Sequence, residues 1–304
     1  MELLFLPKHV LICPFTKMEL VPLSEKELEV INSKIGKGEL FYHQGAQVKQ
    51  RIQQAFSSAN YLYIYMVHEG VLLLKQDTAI VSRSRVANPF HKNVPAEDNA
   101  FYQSYGLDRV VDQQPVKCES SFDKELRDDI LGRISKKGNL LVTANAMRAD
   151  DVLNLAYGVD YKHHVHLDHN FNRLQSVGQE LGSDVVQVLS EQTMMPLAPA
   201  SVDAYLDLEE LDALTSPAQE QLYETLKSVL HPAGVLIKLS GDEEHMIFKK
   251  LLATESFHAK AKSIVMPWKK SNLPLMHFIH YKLPSGKTKE GVAVKNGELS
   301  RFFS

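Results

Sequence analysis

The stretch 139–241 decides the fold, because short apolar runs recur along it at regular intervals. They read LLVTA at 140–144, VHLD at 165–168, VDAYL at 202–206 and VLI at 235–237. Each run is too short for a buried helix and is bounded by polar residues or glycine, a pattern typical of buried strands. The sequence therefore predicts a series of strands, the second of which ends in an aspartate.

Helical patterns separate these runs. Ser216 and Pro217 begin one helix, whose apolar face is Leu222, Leu226, Val229 and Leu230. Strands that alternate with helices indicate a parallel sheet covered by helices on both faces. Residues 264–266 and 275–279 fit the last two strands. The predicted fold class is α/β, with about seven strands, mostly parallel, and an antiparallel strand in the last pair.

The order, spacing and residue classes of these runs resemble a class I S-adenosylmethionine (SAM) methyltransferase. The resemblance lies in Asp168 after the second strand, in Pro196-Leu197 and Val202-Asp203 before and at the fourth, and in Pro232-Ala233-Gly234 before the fifth. It implies a doubly wound, Rossmann-like sheet that binds SAM beyond the carboxyl ends of its first two strands.

The loop after the first strand departs from the family pattern. The family has a glycine-rich loop through which the backbone approaches the cofactor, whereas residues 143–148 read TANAMR, without a glycine. Ala144 and Ala146 are small, and Asn145 tolerates a left-handed backbone. The resemblance therefore implies that these three residues contact the cofactor, although the last two residues of the loop would crowd it.

Two carboxylates complete the site that the resemblance implies. Asp168 would accept both ribose hydroxyls of SAM, and Glu191 would lie near the adenine amine. The alternatives are a helix N-cap for Asp168, because it precedes Asn170-Phe171-Asn172, and a solvated loop glutamate for Glu191. The sequence names no catalytic residue.

Histidines surround Asp168 at positions 163, 164, 166 and 169. On a strand, His164, His166 and Asp168 would share a face. Strand geometry spreads these side chains along about 13 Å, too far for one ion. We therefore expect no metal here and interpret the histidines as a buried or edge set.

The N-terminal part, 1–81, has its own pattern. Ser24 and Glu27 have the spacing of a capping box, which predicts a helix that ends at Gly36. Residues 61–66 alternate between tyrosine and apolar side chains, and after a turn residues 71–74 predict the hairpin partner of that strand.

A further helix is predicted in the same part of the chain. Val48, Ile52 and Phe56 are spaced by four residues. This spacing predicts an inserted amphipathic helix over 44–59.

Residues 8–81 resemble a small zinc-ribbon-like family whose members activate tRNA and protein methyltransferases. Leu11-Ile12-Cys13-Pro14 and the Glu69-Gly70-Val71-Leu72 hairpin carry the resemblance. Zinc-binding members have Cys-Pro-x-Cys, whereas this chain has Cys13-Pro14-Phe15-Thr16, and structural zinc requires four nitrogen or sulfur ligands. We therefore expect a metal-free, zinc-less ribbon-like α+β module.

The predicted organisation is this module (1–81), a connector (82–120) and the methyltransferase-like α/β domain (121–304). The resemblance implies that the module pairs with methyltransferases, and a short tether gives a high effective concentration. We therefore expect intramolecular docking of the module on the second domain. The alternative is a free module that recruits another protein. The aromatic residues expected at the docked interface are Phe90, Phe101 and Tyr105.

Bulk composition narrows the range of functions. A net charge of −3 gives no broad attraction to nucleic acid. The two cysteines, Cys13 and Cys118, exclude a disulfide framework. No apolar run approaches the roughly 18 residues of a membrane span, and the first residues lack the features of a signal peptide. We expect a cytoplasmic protein without a membrane partner.

The C-terminal region is locally basic. Lysine and aromatic side chains together suit a phosphate-bearing or single-stranded RNA ligand, but a solvated basic edge is the favoured explanation. Nucleic acid is thus not indicated. The residues concerned are Lys262, Lys269, Lys270, Lys282, Lys287, Lys289, Trp268 and Tyr281.

Two functions of different classes remain open. One is a divergent SAM-dependent methyltransferase that transfers a methyl group to an acceptor the sequence does not name. The other is a catalytically inactive protein of the same fold that acts as a binding or scaffold protein. Asp168 and Pro232-Ala233-Gly234 favour the first, and the loop without glycine favours the second.

Overall fold

The computed structural model describes residues 9–87, 101–105, 107, 128, 130–132, 134–146, 149–181, 185–191, 193–208, 216–240 and 277–282. Its contacts divide the chain into two compact units. The first unit comprises Met1–Glu119 and Val165–Ala198, and the second comprises Ser120–His164 and Pro199–Ser304. The predicted sequence boundaries at 81 and 120 stay a prediction.

The N-terminal helix of the first unit begins where its capping residues predict. Helix α1 covers Glu25–Gly36. The Ser24 hydroxyl accepts a hydrogen bond from the Glu27 backbone N–H, and the Glu27 carboxylate accepts one from the Ser24 backbone N–H at 2.7 Å. The capping box and the end of the helix are therefore confirmed. Ile31 and Ile35 lie buried on the inner face of this helix.

Short antiparallel strands form the rest of the N-terminal part. They are β1 (Leu20–Pro22), β2 (Leu40–Tyr42), β3 (Ala55–Ser58), β4 (Ile64–His68), β5 (Val71–Leu73) and β6 (Ile80–Ser82). The predicted hairpin is confirmed as β4 and β5, which pair antiparallel. Glu69 and Gly70, with φ of 50° and 82°, form the left-handed turn between them.

The amphipathic helix predicted over 44–59 is wrong. Residues 55–58 form β3 instead, which pairs with β1 on one side and β4 on the other. Val48, Ile52 and Phe56 are buried as predicted, but in a loop and a strand. Because β3 has a hydrogen-bonded neighbour on each side, sheet pairing outweighs the helical spacing of the apolar residues.

The N-terminal strands continue into β9 (Val185–Leu189), since β5 and β9 run parallel with Leu72 opposite Val188. Helix α3 (Phe171–Leu181), which precedes β9, packs on the same apolar core. Phe101 and Tyr105 from the predicted connector also pack there, with their ring centroids 5.1 Å apart. Phe90 lies outside the described residues. Docking of the whole module on the predicted second domain stays a prediction.

The second unit has the strands of a doubly wound sheet. They are β7 (Lys137–Ala144), β10 (Val202–Asp207), β11 (Leu230–Ser240) and β12 (His277–Lys282), with helices α2 (Ala149–Tyr157) and α4 (Ser216–Val229). Strand β10 runs parallel to both β7 and β11, and β12 is antiparallel to β11. The mixed α/β class and the antiparallel last strand are confirmed; the strand predicted at 264–266 lies outside the described residues.

Strand β8 (Asp160–Asp168) crosses the division between the units. Its residues 160–164 belong to the second unit, where β8 is the neighbour of β7, and its residues 165–168 belong to the first, where it is the neighbour of β9. In the second unit β7 therefore lies between β8 and β10. The strand order reverses there, which is where doubly wound sheets bind ligands.

The sequence Pro232-Ala233-Gly234 lies in an irregularity of β11. The register with β10 shifts between the pairs Val202–Leu230 and Ala204–Val235. A Cβ atom on Gly234 would lie 2.7 Å from the carbonyl oxygen of Val202 and 2.8 Å from that of His231. Backbone atoms cannot move aside as a flexible side chain does, so this position requires glycine. Within the described residues, no helix is long and apolar enough to cross a membrane.

Candidate functional site

Three neighbouring strands of the first unit end at the same level. The backbone N–H of Ser190, just after β9, donates to the carbonyl of Asp168 at the end of β8 at 2.8 Å. The N–H of Leu74, just after β5, donates to the carbonyl of Leu189 at 2.8 Å. These bonds place Asp168, Glu191 and Lys75 along one edge. We call it the carboxyl edge, defined by these three residues.

Asp168 is held by a buried ion pair with Arg173. Its side chain is fully buried (0% exposed), and that of Arg173 is 12% exposed. Arg173 Nε lies 2.5 Å from Asp168 Oδ2, and Nη2 lies 2.9 Å from Oδ1. The Asn170 backbone N–H donates to the same Oδ1 at 2.8 Å. A bidentate, charge-assisted pair of this kind is among the strongest hydrogen-bonded contacts in proteins.

The start of α3 explains why the two side chains meet. Asn170 is the residue before the helix, and its side-chain oxygen accepts from the Arg173 backbone N–H at 3.2 Å. Asn170, not Asp168, is therefore the N-cap. Arg173 lies in the first turn of α3, directly over the end of β8. The N-terminus of the helix also favours the negative charge of Asp168.

Glu191 is ion-paired rather than simply solvated. Lys75 Nζ lies 3.3 Å from Glu191 Oε1, with the lysine side chain 14% and the glutamate side chain 40% exposed. The lysine comes from the N-terminal hairpin, far from Glu191 in the chain. Both predicted carboxylates of the carboxyl edge therefore have a basic partner within the first unit. Their predicted cofactor roles stay predictions.

The loop after β7, in the second unit, is packed on itself. Asn145 has a left-handed backbone with φ of 58°, and its side-chain amide donates to Asp207 Oδ1 at 2.9 Å. The Leu208 backbone N–H donates to the Ala144 carbonyl at 2.9 Å. Ala144, Asn145 and Ala146 are all buried. Met147 and Arg148 lie outside the described residues.

His164 is a buried neutral histidine of the second unit. Its Nε2 atom lies 2.9 Å from the Thr143 hydroxyl oxygen, whereas Nδ1 is buried without a hydrogen-bond partner among the described residues. Burial lowers the pKa of this imidazole to about 4. Buried imidazole resists protonation because the charged form loses its hydration.

No group of three or more histidine, cysteine or acidic side chains in the described part of the chain could hold a metal ion. The Cys13 thiol lies 3.1 Å from the Tyr65 hydroxyl. Burial, with Cys13 nearby, raises the pKa of that phenol. Phe15, which lies between Pro14 and the threonine at the second predicted ligand position, stacks on Tyr63 at 4.3 Å between ring centroids. A thiol–phenol contact and an aromatic stack thus fill this part of the first unit.

Sequence reasoning did not identify Arg173 and Lys75. For Arg173 a local signal existed, since it follows the strand-terminal aspartate by five residues and falls in the first helical turn, where positive charge is unfavourable without an acidic partner. Lys75 had no such signal. Its partner depends on the parallel pairing of β5 with β9, which joins distant parts of the chain.

No family model matches this chain, and no curated protein matches it. Among solved structures, it is similar to an rRNA methylase from Streptococcus thermophilus, at 15% identity over 57% of this chain and 99% of that one, with a TM-score of 0.39. A SAM-dependent methyltransferase from Leishmania major matches at 14% identity over 51% and 71%, with a TM-score of 0.38.

A third similar structure is described as a SAM-dependent methyltransferase from Methanococcus maripaludis, at 12% identity over 43% of this chain, with a TM-score of 0.32. The match spans 62% of the length of that protein. The structure neighbours are thus SAM-dependent methyltransferases. At these identities and TM-scores, they carry no argument about the activity of this chain.

The buried ion pair predicts a large effect for Arg173→Met. This change leaves the Asp168 carboxylate buried without a counter-charge, and we expect the free energy of unfolding to fall by about 3–5 kcal/mol. The double variant Asp168→Leu/Arg173→Met should recover most of that loss, since it removes both charges. Urea unfolding of the full chain measures both.

Lys137→Met is the matched control, because its ion pair with Asp160 is exposed at the surface. We expect no measurable loss for it. A loss for Arg173→Met as small as that of the control would contradict a buried, dominant ion pair.

The buried His164 predicts an acid-sensitive stability. Between pH 6.5 and about 4 the unfolded chain binds a proton that the folded imidazole refuses. Stability should therefore fall as the pH is lowered through this range, by about 3 kcal/mol in total, and His164 should have no such effect above it.

His164→Gln removes the titrating group, so the acid side of the stability profile should become flatter than in the wild type. His163→Gln, an exposed neighbour, should leave the profile unchanged. Free energies of unfolding measured along the pH range test this. A profile for His164→Gln that is parallel to that of the wild type would count against it.

Proposed function

We propose that this chain is a catalytically inactive relative of the class I methyltransferases that acts as a binding or scaffold protein. The observation that carries the proposal is the bidentate ion pair between Arg173 and Asp168. It occupies the carboxylate that the resemblance assigns to the ribose of SAM.

The hydrogen-bond capacity of Asp168 supports this proposal. An ionised carboxylate offers about four lone-pair sites. Oδ1 accepts from Asn170 N–H and Arg173 Nη2, and Oδ2 accepts from Arg173 Nε. Two ribose hydroxyls would have to displace Arg173. That displacement would leave a largely buried guanidinium without its partner, which costs several kcal/mol.

The loop after β7 supports the same proposal independently. Its side-chain amide, on Asn145, is used by Asp207, and its two alanines carry buried Cβ atoms where the family has glycine. Close approach of a backbone to a ligand requires the space that glycine leaves. The residues present do not fit SAM in the way the family binds it.

The second candidate function is a divergent SAM-dependent methyltransferase with an unidentified acceptor, such as RNA, protein, a lipid head group or a small molecule. The left-handed backbone of Asn145 favours it, because that conformation is the one a glycine would supply in such a loop. Asp168 and Glu191 would then hold SAM. Catalysis would consist mainly of positioning the acceptor in line with the methyl group.

Calorimetry of the full chain with SAM and with S-adenosylhomocysteine distinguishes the two functions. The proposal predicts no binding of either ligand up to millimolar concentrations. A micromolar dissociation constant for SAM that is lost in Asp168→Ala, but kept in the surface variant Lys137→Met, would instead support the methyltransferase.

A further inference from the structure

Lys75 belongs to the carboxyl edge although it comes from the N-terminal hairpin. The pairing of Leu73 with Leu189 ends the β5–β9 ladder, and Lys75 and Glu191 each lie two residues beyond it. They therefore emerge at the same level on adjacent strands, about 5 Å apart in the backbone. The ion pair at 3.3 Å follows directly from this register.

A second contact holds the lysine in place. Lys75 Nζ lies 5.6 Å from the centre of the Tyr105 ring, a cation–π distance. The Tyr105 hydroxyl donates to Asp77 Oδ2 at 2.5 Å. Burial, with Asp77 and then Glu191 nearby, raises the pKa of Tyr105, so this phenol stays a donor at neutral pH. Lys75 is thus held between Glu191 and an anchored tyrosine.

Glu191 is the one carboxylate of the carboxyl edge with substantial exposure to solvent; the side chain of Asp168 is fully buried. An ionised carboxylate only accepts hydrogen bonds, so a free Glu191 would favour a ligand that presents an N–H donor. The exocyclic amino group of adenine is such a donor. The carbonyl that replaces it in inosine is not, and would be repelled.

We propose that Lys75 is a specificity-determining residue that the N-terminal hairpin supplies to the carboxyl edge, where it occupies Glu191 and excludes ligands with an amino group. This inference rests on the proposed function, in which the edge is closed by side chains of the chain itself. It goes further, because it assigns the closure of Glu191 to one residue and states which ligand chemistry that residue rejects.

Lys75→Met in the full chain tests the proposal, with adenosine and inosine as the probes. We expect this variant to bind adenosine at least about tenfold more tightly than the wild type does, and to prefer it over inosine, since one freed hydrogen bond to a charged group is worth that much. The double variant Lys75→Met/Glu191→Gln should lose this preference.

Lys49→Met is the matched control. Lys49 also lies over a tyrosine ring of the same segment, 4.6 Å from the centre of Tyr102, but no ion pair with the carboxyl edge involves it. It should bind both nucleosides as the wild type does. Equal affinities of Lys75→Met and the wild type for adenosine, or an equal gain for both nucleosides, would overturn the proposal.

A measurement on the wild type keeps the test independent of how well the variant folds. The Lys75–Glu191 pair is partly exposed, so salt screens it. Because adenosine is neutral, its affinity should rise with ionic strength while that of inosine stays constant. Unchanged adenosine affinity over this range would also contradict the proposal.

The outcomes for the two proposals are distinguishable. Tight binding of SAM by the wild type would overturn the proposed function, whatever Lys75→Met does. Absence of SAM binding together with no adenosine preference in Lys75→Met would overturn only the role of Lys75.

Discussion

The ion pair between Asp168 and Arg173 is the contact on which the first unit depends most. Asp168 ends β8, its carbonyl accepts from the residue after β9, and its carboxylate holds the first turn of α3. One residue thus joins two strands and a helix. A carboxylate buried this completely is stable only with a counter-charge and hydrogen bonds to both oxygens, and Arg173 with Asn170 supplies them.

The same contact changes the chemistry that the strand-terminal aspartate can perform. In a nucleotide-binding sheet, a carboxylate in this position is useful because its oxygens are open to a ribose. Here they are saturated by side-chain and backbone donors. Glu191 follows the same pattern with Lys75, and Asn145 follows it with Asp207. Each polar group that the resemblance assigns to a ligand has a partner within its own unit.

Local patterns predicted much of the fold. The capping box at Ser24 and the turn at Glu69-Gly70 depend on residues close in sequence, and both elements formed where predicted. The strand-ending Asp168 was located in the same way. The segment 44–59 failed because its helical spacing competed with sheet pairing, an interaction with strands that its own residues do not encode.

The candidate site was only partly predictable, for a related reason. The sequence identified the carboxylates but not their partners, since hydrogen-bond saturation is a property of the folded chain. Arg173 is local to Asp168 and could have been inferred from its place in the first helical turn. Lys75 reaches Glu191 only through the register of β5 with β9. Gly234 is required by backbone atoms of Val202 and His231, which no sequence pattern places beside it.

The central claim is that Arg173 permanently occupies the Asp168 carboxylate, and the most direct measurement is the NMR signal of the Arg173 Nε–H proton in the full chain. Arg173→Lys identifies the signal by its loss. The account predicts a proton that exchanges slowly with water and does not shift when S-adenosylhomocysteine is added, in contrast to the exposed Arg85. Rapid exchange like that of Arg85, or a shift on addition of the ligand, would contradict it.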